Sequence, residues 1–312
     1  MKPMVRTLLS LTILLVLGTA AQARPWYDPI HAGHSFVNPH LTSQRVVAQK
    51  KSPAQWNGQL VLWEGVISNQ KIVNSGCSFE LTLADKTVVP VQCNKTPLTL
   101  SNALRNGCQA AVKGTVLLKE DGSFDSLGGQ SVILLGPPRP WPKFSKTEDF
   151  LNWWITFHSP KVPASQSKGI AAQIVAKAQE NHIDPLFFAS LLQIESAYRL
   201  DAVSCSGAVG LGQLMPDTAS GLGVDAWDPL DNVAGSAKML GQLLRNFPEQ
   251  SDPRALALAS YNAGPNLVRG LGTVPAYSQT TNYVYFIGYL HHRLTQIADK
   301  VGVPVNLTAS HP

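Results

Sequence analysis

Two rhythms run along this chain. Between residues 58 and 136, apolar and polar positions alternate with period two, in runs at 60–63, 77–83, 88–93, 110–118 and 131–135. Alternation puts one face of an extended segment into a core, so five strands are expected. A short helix fits near 98–104. Five strands in so short a stretch make a small barrel or sandwich. The segment CSFELTLADKTVVPVQC, 77–93, is symmetric about Asp85. Folded as a hairpin, it sets Phe79 opposite Val91, Leu81 opposite Val89 and Cys77 opposite Cys93, all on one face.

The rhythm changes at GPPRPWPKF, residues 136–144. Pro137, Pro138, Pro140 and Pro142 make a stiff, non-helical connector. Beyond it the period is helical. Phe150, Trp153, Trp154 and Phe157 fall at i, i+3, i+4 and i+7, an aromatic stripe that reads as core. Ile170, Ile174, Val175 and Ala178 continue the pattern. Asp184-Pro185 and Asp228-Pro229 each read as a capped helix start. ALASYNAGP, 257–265, reads as a helix stopped by Gly-Pro, and a last helix runs from about Thr280 to Ala298. The expected fold class is therefore multi-domain α and β. A β-barrel domain at 56–136 is joined through a linker at 137–145 to an all-helical domain at 146–300, with a tail at 301–312.

The N-terminus changes the compartment. Lys2 and Arg6, an apolar run from Leu8 to Leu17, and Ala21-Gln22-Ala23 together read as a signal peptide, 1–23, followed by an irregular segment, 24–55. A retained anchor is the alternative. An exported chain acts in the periplasm or outside the cell, where cysteines oxidise. Four cysteines then make disulfides an expectation. Cys77–Cys93 is the first candidate and Cys93–Cys108 its rival; Cys205 is left to pair with the remaining cysteine or to stay free. The chain holds 25 basic and 20 acidic residues, a formal charge of +5, and without Lys2 and Arg6 the balance is 23 against 20, or +3. That excess suits an anionic polymer, and with no dense basic run no nucleic-acid partner is expected.

The candidate chemistry sits in SLLQIESAYR, 190–199. Glu195 arrives about three turns into a helix that is apolar nearly all round. It is either a surface residue or a carboxyl held in a packed setting. In the second case its pKa rises, which suits a general acid near neutrality. The next motif, SCSGAVGLGQLMP at 204–216, is a glycine-rich loop that lets backbone approach a ligand, with Gln213 offering an amide. QTTNYV follows at 279–284. His291 and His292 are adjacent on a helix, so they point apart and are read as solvated. His31, His34 and His40 are a weaker metal possibility. No metal site and no cofactor are expected.

IES, GAVGLGQLMP, LASYNAGP and TTNYV, in that order, resemble the signatures of the family 1 lytic transglycosylases, over about residues 165–295. The resemblance implies a lysozyme-like helical domain. It also implies cleavage of the β-1,4 bond between N-acetylmuramic acid and N-acetylglucosamine in peptidoglycan glycan strands, leaving a 1,6-anhydromuramoyl end. Glu195 takes the place of the catalytic acid. Ser204 and Gln213 match positions lining the glycan cleft, and Tyr261 matches the tyrosine whose hydroxyl lies near the acid. Asn262 and Tyr283 match supporting positions. A single carboxylate suffices for this chemistry, because the substrate supplies its own nucleophile; Asp201 is read as a loop residue and Asp217 as a helix terminus. Gly212 stands where the family commonly has methionine, Gln279 where it has glutamate, and Ser260 replaces an alanine. The strand order of the first half resembles an OB-fold, which suits a wall-binding or envelope-protein docking module, with a purely structural module as the alternative. A goose-type muramidase using water, or a glycan-binding scaffold with little turnover, are the alternatives.

Overall fold

The computed structural model describes residues 46–47, 54–73, 76–93, 105–248 and 252–304. The signal-peptide segment, the three N-terminal histidines and the short helix expected near 98–104 lie outside the described residues.

Five strands form the first half: β1 (Leu60–Val73), β2 (Gly76–Leu83), β3 (Val88–Cys93), β4 (Gln109–Leu118) and β5 (Phe124–Gly136). They close into a barrel in the order β1-β2-β3-β5-β4, with β4 returning to β1. β3 and β5 run parallel, and the other pairings are antiparallel. The β3–β5 seam that completes the closure is short, with Val91↔Leu127 and Gln92↔Gly128 paired. The β2–β3 hairpin has the register that the palindromic pattern dictates: Cys77↔Cys93, Phe79↔Val91 and Leu81↔Val89. Their side chains point into the barrel, where Leu81 and Val89 are fully buried. The two cysteines face each other, but Cys77, Cys93, Cys108 and Cys205 are all thiols here. Burial, with Cys77 alongside, pushes the Cys93 thiol up to about 12.

Eight helices follow among the described residues: α1 (Thr147–His158), α2 (Ala164–Glu180), α3 (Pro185–Ser196), α4 (Pro216–Leu222), α5 (Pro229–Arg245), α6 (Pro253–Ala263), α7 (Pro265–Leu271) and α8 (Ser278–Lys300). Five of them begin on proline, where the missing N–H costs nothing and the fixed φ already fits a helix. Asp184 caps α3 by accepting from Leu186 N at 2.8 Å, and Asp228 caps α5 by accepting from Leu230 N and Asp231 N, both at 2.9 Å. Helices α3 and α8 pack together, and so do α2 with α5 and α6 with α8.

The halves are not separate globules. Ala111, Ile133 and Leu135 point out of the barrel into the helical core, beside Phe150, Trp154 and Phe187. Phe157 of α1 in turn joins the barrel core. The proline-rich segment lies against both halves. Trp141 donates to Pro137 O at 2.8 Å and meets Trp153 edge-on, and Phe144 packs on Phe150 and Trp153.

One histidine expectation needs correction. His292 is exposed, but His291 is buried, with Nε2 2.8 Å from the Asp184 carboxylate. The capping carboxylate of α3 reaches across to α8, and this pairing compensates the imidazole for lost water.

Candidate active site

Helix α3 ends abruptly. Ala197 and Tyr198 both adopt left-handed backbone, φ 50° and 58°. Neither is glycine, so each costs on the order of 1 kcal/mol. Anchors over-determine the reversal. Tyr198 is fully buried and donates to Ala189 O at 2.8 Å, and Ser196 Oγ donates to Leu211 O at 2.8 Å. Glu195 therefore lies in the last turn of α3, just before the chain reverses.

Glu195 is half-buried. Burial raises its carboxyl from 4.5 to about 7, against the opposing pull of a hydrogen bond from Tyr283. The Tyr283 hydroxyl donates to Oε1 at 2.5 Å. No basic residue and no second carboxylate among the described residues contributes to that shift. Burial and the Glu195 charge hold the hydroxyls of Tyr261 and Tyr283 well above their usual range. Both tyrosines stay protonated and act as donors.

The loop is a compact bridge-and-turn structure, with Val203↔Val209 and Val209↔Leu214 pairing. Asn232 of α5 is fully buried and pins it. Its Oδ1 accepts from Gly212 N at 2.8 Å, while Nδ2 donates to Val209 O at 2.9 Å and to Ala226 O at 2.8 Å. Tyr261 donates to Gly212 O at 2.8 Å, so both backbone polar groups of Gly212 are held. The glycine is obligatory for a further reason: a Cβ there would sit 1.9 Å from Ser236 Oγ and 2.7 Å from Ser236 Cβ. Ser236 occupies the space a larger residue would need. Gly212→Ala is expected to cost about 2 kcal/mol through overpacking, read as the shift in a urea midpoint. Unchanged stability would show that the loop is free to move off α5.

The site residues chosen from the sequence fall into two groups. Glu195, Tyr283 and Tyr261 come together. The tyrosine bonded to Glu195 is Tyr283; Tyr261 lies near enough to feel the Glu195 charge and directs its hydroxyl to the loop carbonyl. Ser204 and Gln213 lie in the loop, and much of their polarity is used there. Ser204 Oγ accepts from Ala208 N at 2.9 Å. Gln213, at φ 51°, donates its amide to Ala202 O at 3.1 Å and Gly210 O at 2.9 Å. What Gln213 offers a ligand is its carbonyl oxygen rather than its N–H groups. Asn262 accepts from Thr280 Oγ1 at 2.9 Å, tying α6 to α8. Asp201 and Asp217 are exposed, in a loop and in the first turn of α4. Gln279 is exposed at the start of α8. Ser260 is fully buried, with no hydrogen-bond partner for its hydroxyl among the described residues. The reading of the sequence missed Asn232 and Ser236. Their spacing of four, as polar residues on the apolar stripe of α5, was the available signal.

Residues 173–278 match the Transglycosylase SLT domain family. The match includes Glu195, the loop, Tyr261 and Asn262 but stops before Tyr283, and the barrel and α1 lie outside it. A transglycosylase of Enterobacteria phage PRD1 is 40% identical over 117 residues, 37% of this chain and 36% of that protein. Membrane-bound lytic murein transglycosylase F 1 of Alkalilimnicola ehrlichii is 40% identical over 91 residues, 28% of this chain and 18% of its own length. The chain thus aligns with no more than about a third of these relatives' lengths. Among solved structures, an inactive mutant of the lytic transglycosylase Slt from Pseudomonas aeruginosa aligns at 24% identity and a TM-score of 0.39, over 48% of this chain and 26% of that one.

Proposed function

We propose that this protein is a peptidoglycan lytic transglycosylase in which Glu195 serves first as general acid and then as general base. The observation that carries the reading is the state of Glu195: one carboxyl, raised to about 7 by burial, bonded to Tyr283 and, among the described residues, without a carboxylate partner. Such a group is partly protonated at neutrality and can both give and take a proton. Glycosidases that use water or a covalent intermediate ordinarily need two carboxylates.

The steps balance around that single group. Glu195 donates its proton to the glycosidic oxygen between N-acetylmuramic acid and N-acetylglucosamine, and the C1–O bond breaks. The C6 hydroxyl of the muramic residue attacks C1. Its proton passes to the Glu195 carboxylate as the 1,6-anhydro ring closes, and the acid is regenerated. Tyr283 steadies the carboxylate form between the two transfers. The Gln213 carbonyl and the Ser204 hydroxyl proton are directed to the glycan, while Tyr261 and Asn262 hold loop and helices in place.

Relatives named membrane-bound lytic murein transglycosylases support action at the cell envelope. Among the described residues, no helix is long and apolar enough to cross a membrane. Mass spectrometry of purified peptidoglycan digested with the protein tests the chemistry. Anhydromuropeptides are the expected product. Reducing-end muropeptides would make water the nucleophile, and the absence of any product would leave a glycan-binding role.

A further inference from the structure

Two helices carry the Glu195–Tyr283 pair, and the barrel touches both. On α3, Gln193 lies two residues before Glu195. It is buried, its Oε1 accepts from Trp154 Nε1 at 2.6 Å, and its Nε2 reaches the barrel carbonyl Leu134 O at 3.4 Å. On α8, Asn282 directly precedes Tyr283, and its Oδ1 accepts from Lys113 Nζ of strand β4 at 2.5 Å. Two further bonds fix the next turns of α8. Tyr289 donates to Glu64 of β1, and Arg293 pairs with the same carboxylate at 2.7 Å. Glu64 and Lys113 belong to one outward-facing patch of the barrel, in the rows Leu62↔Lys113 and Glu64↔Ala111.

Lys113 is an unusual residue for a packed interface. It is 3% exposed, and its ammonium lies 5.4 Å from the centre of the Phe286 ring. Burial pulls its pKa down to about 8. An apolar residue of the same length would fill this space without the desolvation cost, so stability alone is a poor reason for a lysine here. Its bond ties Asn282, and with it the turn of α8 that carries Tyr283, to strand β4. Displacements of about 1 Å at a reacting group are enough to change rates severely.

We propose that the barrel is part of the catalytic machinery, and that Lys113 is a positioning residue which holds Tyr283 on Glu195 through Asn282. The inference rests on the lytic transglycosylase reading above. The test uses the full chain and compares Lys113→Met, Tyr283→Phe and the double variant by kcat, KM and the pH profile of kcat. Among the described residues, Tyr283 from α8 and Tyr261 from α6 face Glu195, and since only Tyr283 is bonded to it, the alkaline limb reports that bond. Lys113→Met is expected to lower kcat about 10-fold with KM changed less than about twofold. It should also move the alkaline limb upward, in the same direction as Tyr283→Phe. Added to Tyr283→Phe it should do almost nothing more, because both act on one bond. A wild-type kcat and limb in Lys113→Met, or full additivity in the double variant, overturns the proposal. If Lys113→Met does not fold, Asn282→Ala cuts the same bond from the helix side, and the same outcomes decide. A wild-type protein that releases no anhydromuropeptides would instead overturn the reading on which this one rests.

Discussion

Glu195→Gln should be more stable than the natural protein above neutral pH while losing nearly all cleavage. The native state holds this carboxyl at about 7, against 4.5 for a free side chain. Between those values the native state binds more protons than the unfolded chain, so stability falls as pH rises through that window. Above it, the native state bears the full cost of an ionised carboxylate in a packed site, about 3 kcal/mol for a shift of this size. Glutamine has the same shape and never ionises, and its Oε1 can still accept from Tyr283. The variant should therefore gain up to about 3 kcal/mol at pH 8 and nothing below pH 4.5, the free side-chain value. Urea unfolding at the two pH values measures this directly. Cleavage should fall by about 10²- to 10⁴-fold, the range that proton transfer by one positioned group contributes. Equal stability of the two proteins at pH 8 would mean that Glu195 is well solvated, and the general-acid role would go with it.

The second large effect belongs to Tyr283. Its hydroxyl bond favours the charged form of Glu195, so removing it in Tyr283→Phe should push the carboxyl above about 7. A hydrogen bond to a charged group is worth about 1.5–3 kcal/mol, or roughly one to two pH units. The alkaline limb of kcat should move up by about one unit, and kcat near pH 6 should fall by about 10-fold because the carboxylate intermediate loses its donor. Tyr261→Phe should leave the limb nearly in place, since that hydroxyl serves the Gly212 carbonyl. A limb that moves with Tyr261 and not with Tyr283 would reverse the two roles.

Local signals made much of this molecule readable in advance. The palindrome from Cys77 to Cys93 dictated the hairpin register because pairing within a hairpin is a neighbour problem. Asp184-Pro185 and Asp228-Pro229 announced α3 and α5 because capping is decided within one turn. Glu195 stood out because its own helix is apolar on every side. Contacts made far along the chain were not readable. Tyr283 and Glu195 are 88 residues apart, and which tyrosine reaches the acid depends on how α8 lies across α3. His291 looked solvated until Asp184 was seen to reach it from another helix. Glu64 and Lys113 occupy positions that alternation marks as solvent-facing, yet helix α8 buries Lys113 and bonds to both. Period-two patterning tells inside from outside within a barrel, but it cannot tell water from a second layer of protein.

The shared core has a consequence for how this fold can be divided. A fragment starting near residue 146 would keep the SLT motifs but bare the surface on which Ala111, Ile133 and Leu135 now sit, and the barrel alone would lose Phe157. Neither half is an interchangeable cassette. A shuffled gene that grafts the helical half onto a foreign partner inherits an uncovered greasy wall, whereas one that transplants 54–304 whole keeps both faces of that wall together.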